Sequence, residues 1–150
     1  MQSSVKRRWR QWRRLDSEEK RLFLSALLLL PIISGLLRAF LYRDVYQRLK
    51  GWVPLKTQSK EINAQAQGAK MAAIVELAAR QRVAKTTCLR RSLVLWTLMR
   101  RAGIESDLRL GVRKAKGTFS GHAWVEIEGV VINDSVDVVR QYTIIDLENP

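Results

Sequence analysis

The chain has 150 residues, of which 47% are hydrophobic and 27% charged, and a formal net charge of +13. That is the size of one ordinary domain, or of a small domain with an appended helical segment, and the balance is globular rather than disordered, collagen-like or repetitive. One cysteine, Cys88, excludes an internal disulfide; with one histidine, His122, it cannot fill a zinc site unless carboxylates make up the number, so neither metal nor cofactor is expected and the setting is read as reducing and cytoplasmic.

The charge is concentrated at the start. Residues 1–60 hold 14 Lys and Arg against 4 Asp and Glu, a net +10, while residues 61–150 hold 13 against 10, a net +3. Within "KRRWRQWRR" (6–14) arginines alternate with Trp9 and Trp12, a composition suited to nucleic-acid backbones, anionic lipid headgroups, an acidic protein, or simply a solvated arm.

"LFLSALLLLPIISGLL" (22–37) has no charge over sixteen residues and contains Pro31 and Gly35. It falls short of the ~20 residues needed to span a bilayer, and no small-residue cleavage site follows it as a secretory signal would require. A soluble helical hairpin is therefore preferred to a membrane anchor. Asp16-Ser17-Glu18-Glu19 supplies N-cap candidates and first-turn acids, and Pro31 is expected to end or kink the first helix. A second is expected over 32–49, where Ile33, Leu36, Leu37, Phe40, Leu41, Val45 and Leu49 recur at three- and four-residue steps until Gly51 and Pro54. Such a stripe, within 20–50, suits core or a partner surface, and lipid contact at the membrane periphery is the weaker use. "PLKTQSKEINAQAQG" (54–68) is polar and reads as a linker, dividing a basic, Leu-rich helical segment (1–60) from a second domain (61–150).

"AKMAAIVELAAR" (69–80) has helix-forming composition, and another helix begins near Thr86-Thr87 and ends at Gly103, with Leu89, Leu93, Leu95, Trp96 and Leu98 or Met99 inward. Cys88 then lies in its first turn, where unpaired N–H groups and the helix dipole favour an anion, as a reactive thiolate requires; the plain alternative is a small buried hydrophobe. After Gly103 the period changes to two in "DLRLGVRK" (107–114), and "HAWVEIEGVVIND" (122–134) reads as two strands around a glycine turn. Strands behind a Cys helix make an α+β domain.

The turn decides whether His122 and Asp134 can meet. A two-residue type I′ turn at Glu128-Gly129 would pair Ile127 with Val130 and leave them on opposite faces. Glu suits the positive φ of that turn poorly, so a three-residue loop Ile127-Glu128-Gly129 is expected, which sets His122 opposite Asp134 with Cβ atoms ~5 Å apart. Taken singly, His122 could be structural and Asp134 an Asx turn. Together with Cys88 at a helix start, the three read as a nucleophile, a base and its orienting carboxylate.

The order of Cys on a helix start, His on a strand and Asp on the next strand resembles that of transglutaminase-like and papain-like thiol enzymes. More narrowly, "TTCLRRSLVLWTLMRRAGIESDLRLGVRK" with "FSGHAWVEIEGVVIND" resembles the lasso-peptide leader peptidases, the protease half of the split maturation protein, over roughly residues 82–134. The resemblance implies a transglutaminase-like, papain-like core in which a Cys-bearing helix packs on a small antiparallel sheet. It makes Cys88 the nucleophile, His122 the general base and acid, and Asp134 the group orienting His122. It also implies removal of the leader from a ribosomally made precursor peptide, help from a separate leader-binding recognition protein, whose domain is not expected within this chain, and an ATP-dependent lasso cyclase acting afterwards; nucleic acid is the less favoured partner. The backbone N–H of Cys88 would serve as one oxyanion donor, with Gln81 a weak candidate for the second. Other Cys-His-Asp acyl transfer, a noncatalytic basic binding module, and a nucleic-acid or membrane-surface protein built on the basic N-terminus are the competing readings.

Overall fold

A computed structural model describes residues 15–53, 63–81, 86–115 and 117–145. The basic arm at 6–14 and most of the polar stretch after Val53 lie outside them. Helix α1, Ser17–Ala39, starts on a complete capping box: Glu19 N–H donates to Asp16 Oδ1 at 2.8 Å and Asp16 N–H to Glu19 Oε2 at 2.9 Å. Lys70 reaches both carboxylates and so ties this end to the third helix.

Pro31 does not end α1. An interior proline costs about 3 kcal/mol, but Leu30 and Ile33 beside it are fully buried and each stabilises by roughly 1.5–3 kcal/mol, which holds the chain helical across it. The break comes instead at Phe40 and Leu41, both extended, before α2, Tyr42–Trp52. That break re-aims the apolar stripe: Val45 and Leu49 enter the core, whereas Leu41 is left in solvent.

Helix α3, Ala64–Arg80, starts earlier than its composition suggests, and α4, Cys88–Arg101, runs as expected from an N-cap at Thr87. Phe23, Ala26, Leu30 and Ile33 of α1 join Met71, Ile74, Val75 and Ala78 of α3 and Leu93 to Met99 of α4 in one core, closed below by Leu108, Val125 and Ile127 of the sheet. The outer face of α1 carries Leu24, Leu28 and Ile32 at four-residue steps, 50%, 66% and 55% exposed. By length and composition α1 would also suit a membrane anchor or signal segment; here part of it is core.

The sheet is antiparallel, in the order β3-β2-β1-β4, from β1 (Asp107–Ala115), β2 (Thr118–Ile127), β3 (Val130–Val131) and β4 (Thr143–Ile145), with a short helix α5, Val138–Gln141, before the last. The architecture is α+β, as expected. The three-residue hairpin loop is not found. Ile127 pairs with Val130 and Glu126 with Val131, and Glu128 (φ 50°) and Gly129 (φ 79°) form the two-residue turn. A non-glycine residue in that region costs about 1–2 kcal/mol. Against it, this register puts Ile132 on the helical face with Ile127, partly buried against the core, which offsets that cost.

Along β2 the side chains alternate: Ala123, Val125 and Ile127 face the helices, and His122, Trp124 and Glu126 the other side. There Trp124 is fully buried, its Nε1–H donating to Glu126 Oε1 at 2.7 Å, while Arg109 Nε donates to Glu126 Oε2 at 3.0 Å. Tyr142, from the returning C-terminal segment, covers this layer, and Gly111 makes room for it: a Cβ there would sit 2.7 Å from Tyr142 Cβ and 2.9 Å from the Trp124 ring.

Gly111→Ala is therefore expected to destabilise by about 1–3 kcal/mol, read from urea unfolding, and to alter the near-ultraviolet dichroism of Trp124 and Tyr142. An unchanged midpoint would show that the layer tolerates the methyl. Glu76 of α3 gives a pH test. Partial burial works to raise its carboxyl, but hydrogen bonds and charge from Arg80 (3.1 Å) and Arg91 (2.8 Å) outweigh that and hold it below the ordinary 4.5. A depressed folded value means that the contribution is complete above the ordinary one and lost as pH falls through the depressed one. Melting temperatures should decline below about pH 4.5, and Glu76→Gln should shallow that decline.

Candidate active site

Cys88 is the first residue of α4, and the helix is capped by Thr87, whose Oγ1 accepts Arg90 N–H at 3.4 Å. The first N–H groups of a helix have no partner within it, so that of Cys88 is free of the α4 ladder and the positive end of the dipole lies at the sulfur. The thiol is unbridged and half-buried.

His122 Nε2 meets Asp134 Oδ2 at 2.5 Å, with side-chain exposures of 23% and 31%. Asp134 Oδ1 accepts Ser135 N–H at 2.7 Å, which fixes the carboxylate. The imidazole is stacked on Tyr142 at 5.1 Å between centroids and lies 6.2 Å from Trp124. Tyr142 is held in turn under the Arg113 guanidinium, which also donates to Gln141 Oε1. With Nε2 occupied by Asp134, Nδ1 is the nitrogen left for proton exchange with a thiol.

The pair forms although the hairpin register forbids it in a regular ladder, which would carry residue 134 to the opposite face from His122. Ile132 N–H still donates to Val125 O at 2.9 Å, but the reciprocal N–H of Val125 goes to Asn133 Oδ1 at 2.8 Å. The Asn133 side chain takes the place of a backbone carbonyl, strand β3 ends, and the chain bends through 132–134 so that Asp134 comes round to His122. The amide orientation follows from its partners: the oxygen must face Val125 N–H, so Nδ2 donates to Ser92 Oγ at 2.9 Å. Ser92, fully buried on α4, then donates to Ala123 O at 2.9 Å.

Cys88, His122 and Asp134 line one cleft of about 490 Å³, together with Asn133 and Ser92. The facing wall is the alanine side of α3, with Glu76 paired to Arg91 at its margin. Gln81 is the C-cap of α3 and is not among the residues lining the cleft. Trp124 is a core residue with its N–H satisfied. Among the described residues no group of three or more His, Cys, Asp or Glu side chains could hold a metal ion. Ser92, Asn133 and Tyr142 were not singled out in the sequence. Ser92 left a signal, being a polar residue four after Cys88 in an otherwise inward apolar run; Tyr142 left none.

A thiol at a helix start, an imidazole oriented by a carboxylate and a cleft common to all three suit acyl chemistry through a thioester. A family model described as the transglutaminase-like superfamily matches residues 35–146, from within α1 to just past β4. No curated protein and no solved structure matches the chain. That superfamily includes cysteine proteases and acyltransferases. With well over half its length inside the match, and a helix-borne Cys set against sheet-borne His and Asp, the chain belongs to the transglutaminase-like superfamily.

Proposed function

We propose that this chain is a cysteine peptidase that removes the leader from a ribosomally synthesised lasso precursor peptide, presented by a separate leader-binding protein. The observation that carries the reading is the convergence of Cys88, on a helix start, with the His122–Asp134 pair in one cleft. The choice of precursor rests on the resemblance of residues 86–114 and 119–134 to the lasso leader peptidases.

In this reading the Cys88 thiolate adds to the carbonyl carbon at the leader–core junction, and the oxyanion is met by the Cys88 N–H. His122 as imidazolium protonates the amine of the core; the C–N bond breaks, leaving the leader as a thioester on Cys88. Water then attacks the thioester while His122 Nδ1 takes its proton, the C–S bond breaks, and the leader carboxylate departs with the thiolate and imidazolium restored. Asp134 holds the ring in the orientation that both transfers need. An amine in place of water would give acyl transfer by the same residues.

The exposed face of α1 supports a second part of the reading. Leu24, Leu28 and Ile32 form an exposed apolar strip at four-residue steps, and the recognition protein is the occupant that would use it.

Mass spectrometry of a precursor incubated with the recognition protein should show leader release by the wild type and none by Cys88→Ala. His122→Ala should lower kcat by roughly 10²–10⁴-fold. Undiminished cleavage by Cys88→Ala would sink the thiol mechanism, and a product joined to added amine instead of water would move the reading to acyl transfer. For the docking face, Leu28→Asp should raise the concentration of recognition protein needed for half-maximal cleavage without altering Cys88 alkylation. Unchanged half-saturation would remove this role from α1, and flotation on anionic vesicles that Leu28→Asp abolishes would assign the face to lipid.

A further inference from the structure

We infer that Asn133 and Ser92 are the positioning residues of this site, a bridge that sets the nucleophile, the base and the orienting carboxylate relative to one another; the inference rests on the peptidase reading for its substrate but on geometry for its logic.

Each of the three reactive side chains stands on a different segment. Cys88 opens α4, His122 is on β2, and Asp134 is in the bend after β3. Asn133 touches all three segments: it precedes Asp134, its Oδ1 holds Val125 N–H of β2 at 2.8 Å, and its Nδ2 holds Ser92 Oγ of α4 at 2.9 Å. Ser92 closes the circuit on Ala123 O at 2.9 Å, the carbonyl of the residue next to His122. Ser92 lies four residues after Cys88, hence on the same helix face one turn on. The side-chain atoms of this bridge are all engaged: the Asn133 amide uses both ends, and Ser92 Oγ accepts once and donates once. A buried network of that kind specifies a single arrangement, since a slip of either element strands a donor or an acceptor away from water.

The bridge also accounts for the meeting of His122 and Asp134. With a backbone carbonyl on Val125 N–H the ladder would run on and turn residue 134 away from His122. Asn133 Oδ1 in that position stops the ladder one residue before the carboxylate. Neither Asn133 nor Ser92 is needed for a chemical step, so both act through the others.

The test reads Cys88 alkylation by iodoacetamide against pH on the full chain, which needs no precursor, alongside precursor cleavage. The groups that bear on the profile are His122 and Asp134, the Glu76–Arg91 pair at the cleft margin, and Tyr142 stacked on the imidazole. His122→Ala gives the profile of a thiol without its base. Asn133→Ala should move the profile toward that of His122→Ala and lower kcat roughly tenfold to hundredfold with KM little changed, as a displaced reacting group does. Asn133→Asp keeps an oxygen for Val125 N–H but has no N–H for Ser92 Oγ, whose single proton is on Ala123 O, and should recover only the part of both readouts that the Val125 bond carries. Ser92→Ala leaves Asn133 on Val125 and cuts only the tie to α4, giving a smaller shift in the same direction; it decides the matter if Asn133→Ala fails to fold by circular dichroism. Wild-type profiles and kcat in folded Asn133→Ala and Ser92→Ala, with His122→Ala different, would overturn the inference while leaving the peptidase reading standing. Coincident profiles for wild type and His122→Ala would overturn it too. Cleavage surviving in Cys88→Ala would remove the peptidase reading alone, because the alkylation profiles still report the bridge.

Discussion

Val125 offers its N–H to the outer side of β2, and the group that accepts it decides where the chain goes next. A backbone carbonyl would extend β3 into a longer, flatter hairpin. The carboxamide of Asn133 accepts instead, at a distance no different from a ladder bond, and the strand stops after two residues. Because a side-chain acceptor does not commit its own backbone to extended geometry, the chain is free to bend at once. The bend brings Asp134 to His122, and the other end of the same amide fastens α4 to β2. The polar centre of the molecule is thus organised by one residue that takes part in no regular element.

Around that centre the two faces of the sheet are closed by different means. The helical side is conventional packing, with α1, α3 and α4 contributing aliphatic side chains to one core that reaches Val125 and Ile127. The other side is covered by the Tyr142 segment over Trp124, and the indole N–H and Arg109 Nε both end on buried Glu126. Glycine at 111 is what permits so close a cover. The imidazole sits at the boundary of the two layers, one ring nitrogen on a carboxylate and its face on Tyr142, which gives it a fixed orientation without sealing it from the cleft.

Within the transglutaminase-like superfamily, hydrolysis and acyl transfer differ in what reaches the thioester, not in the residues that form it. Position and access therefore matter more than residue identity for this chain. Its cleft is walled by alanines of α3 on one side and by the residues of the polar bridge on the other, with Glu76 and Arg91 also in its lining.

Residue types and periodicity alone determined much of this. The capping signals at Asp16 and Thr87, the apolar spacing of α4 and the alternation of β1 and β2 are local properties, and they placed Cys88 in a first helical turn and His122 on a strand. Periodicity could not decide events that depend on competing burial. Pro31 stays helical because Leu30 and Ile33 are buried on either side of it, and the apolar stripe breaks at Phe40 because Val45 and Leu49 are wanted elsewhere in the core. The hairpin is the sharpest case. Turn chemistry at Glu128 argued for a three-residue loop, the register that packs Ile132 against the core overrode it, and the pairing that the loop was meant to explain arises from a side chain in place of a carbonyl. The type of three residues was legible because chemistry requires those types; their meeting was not, because it hangs on hydrogen bonds between segments up to 41 residues apart, and no local pattern encodes those.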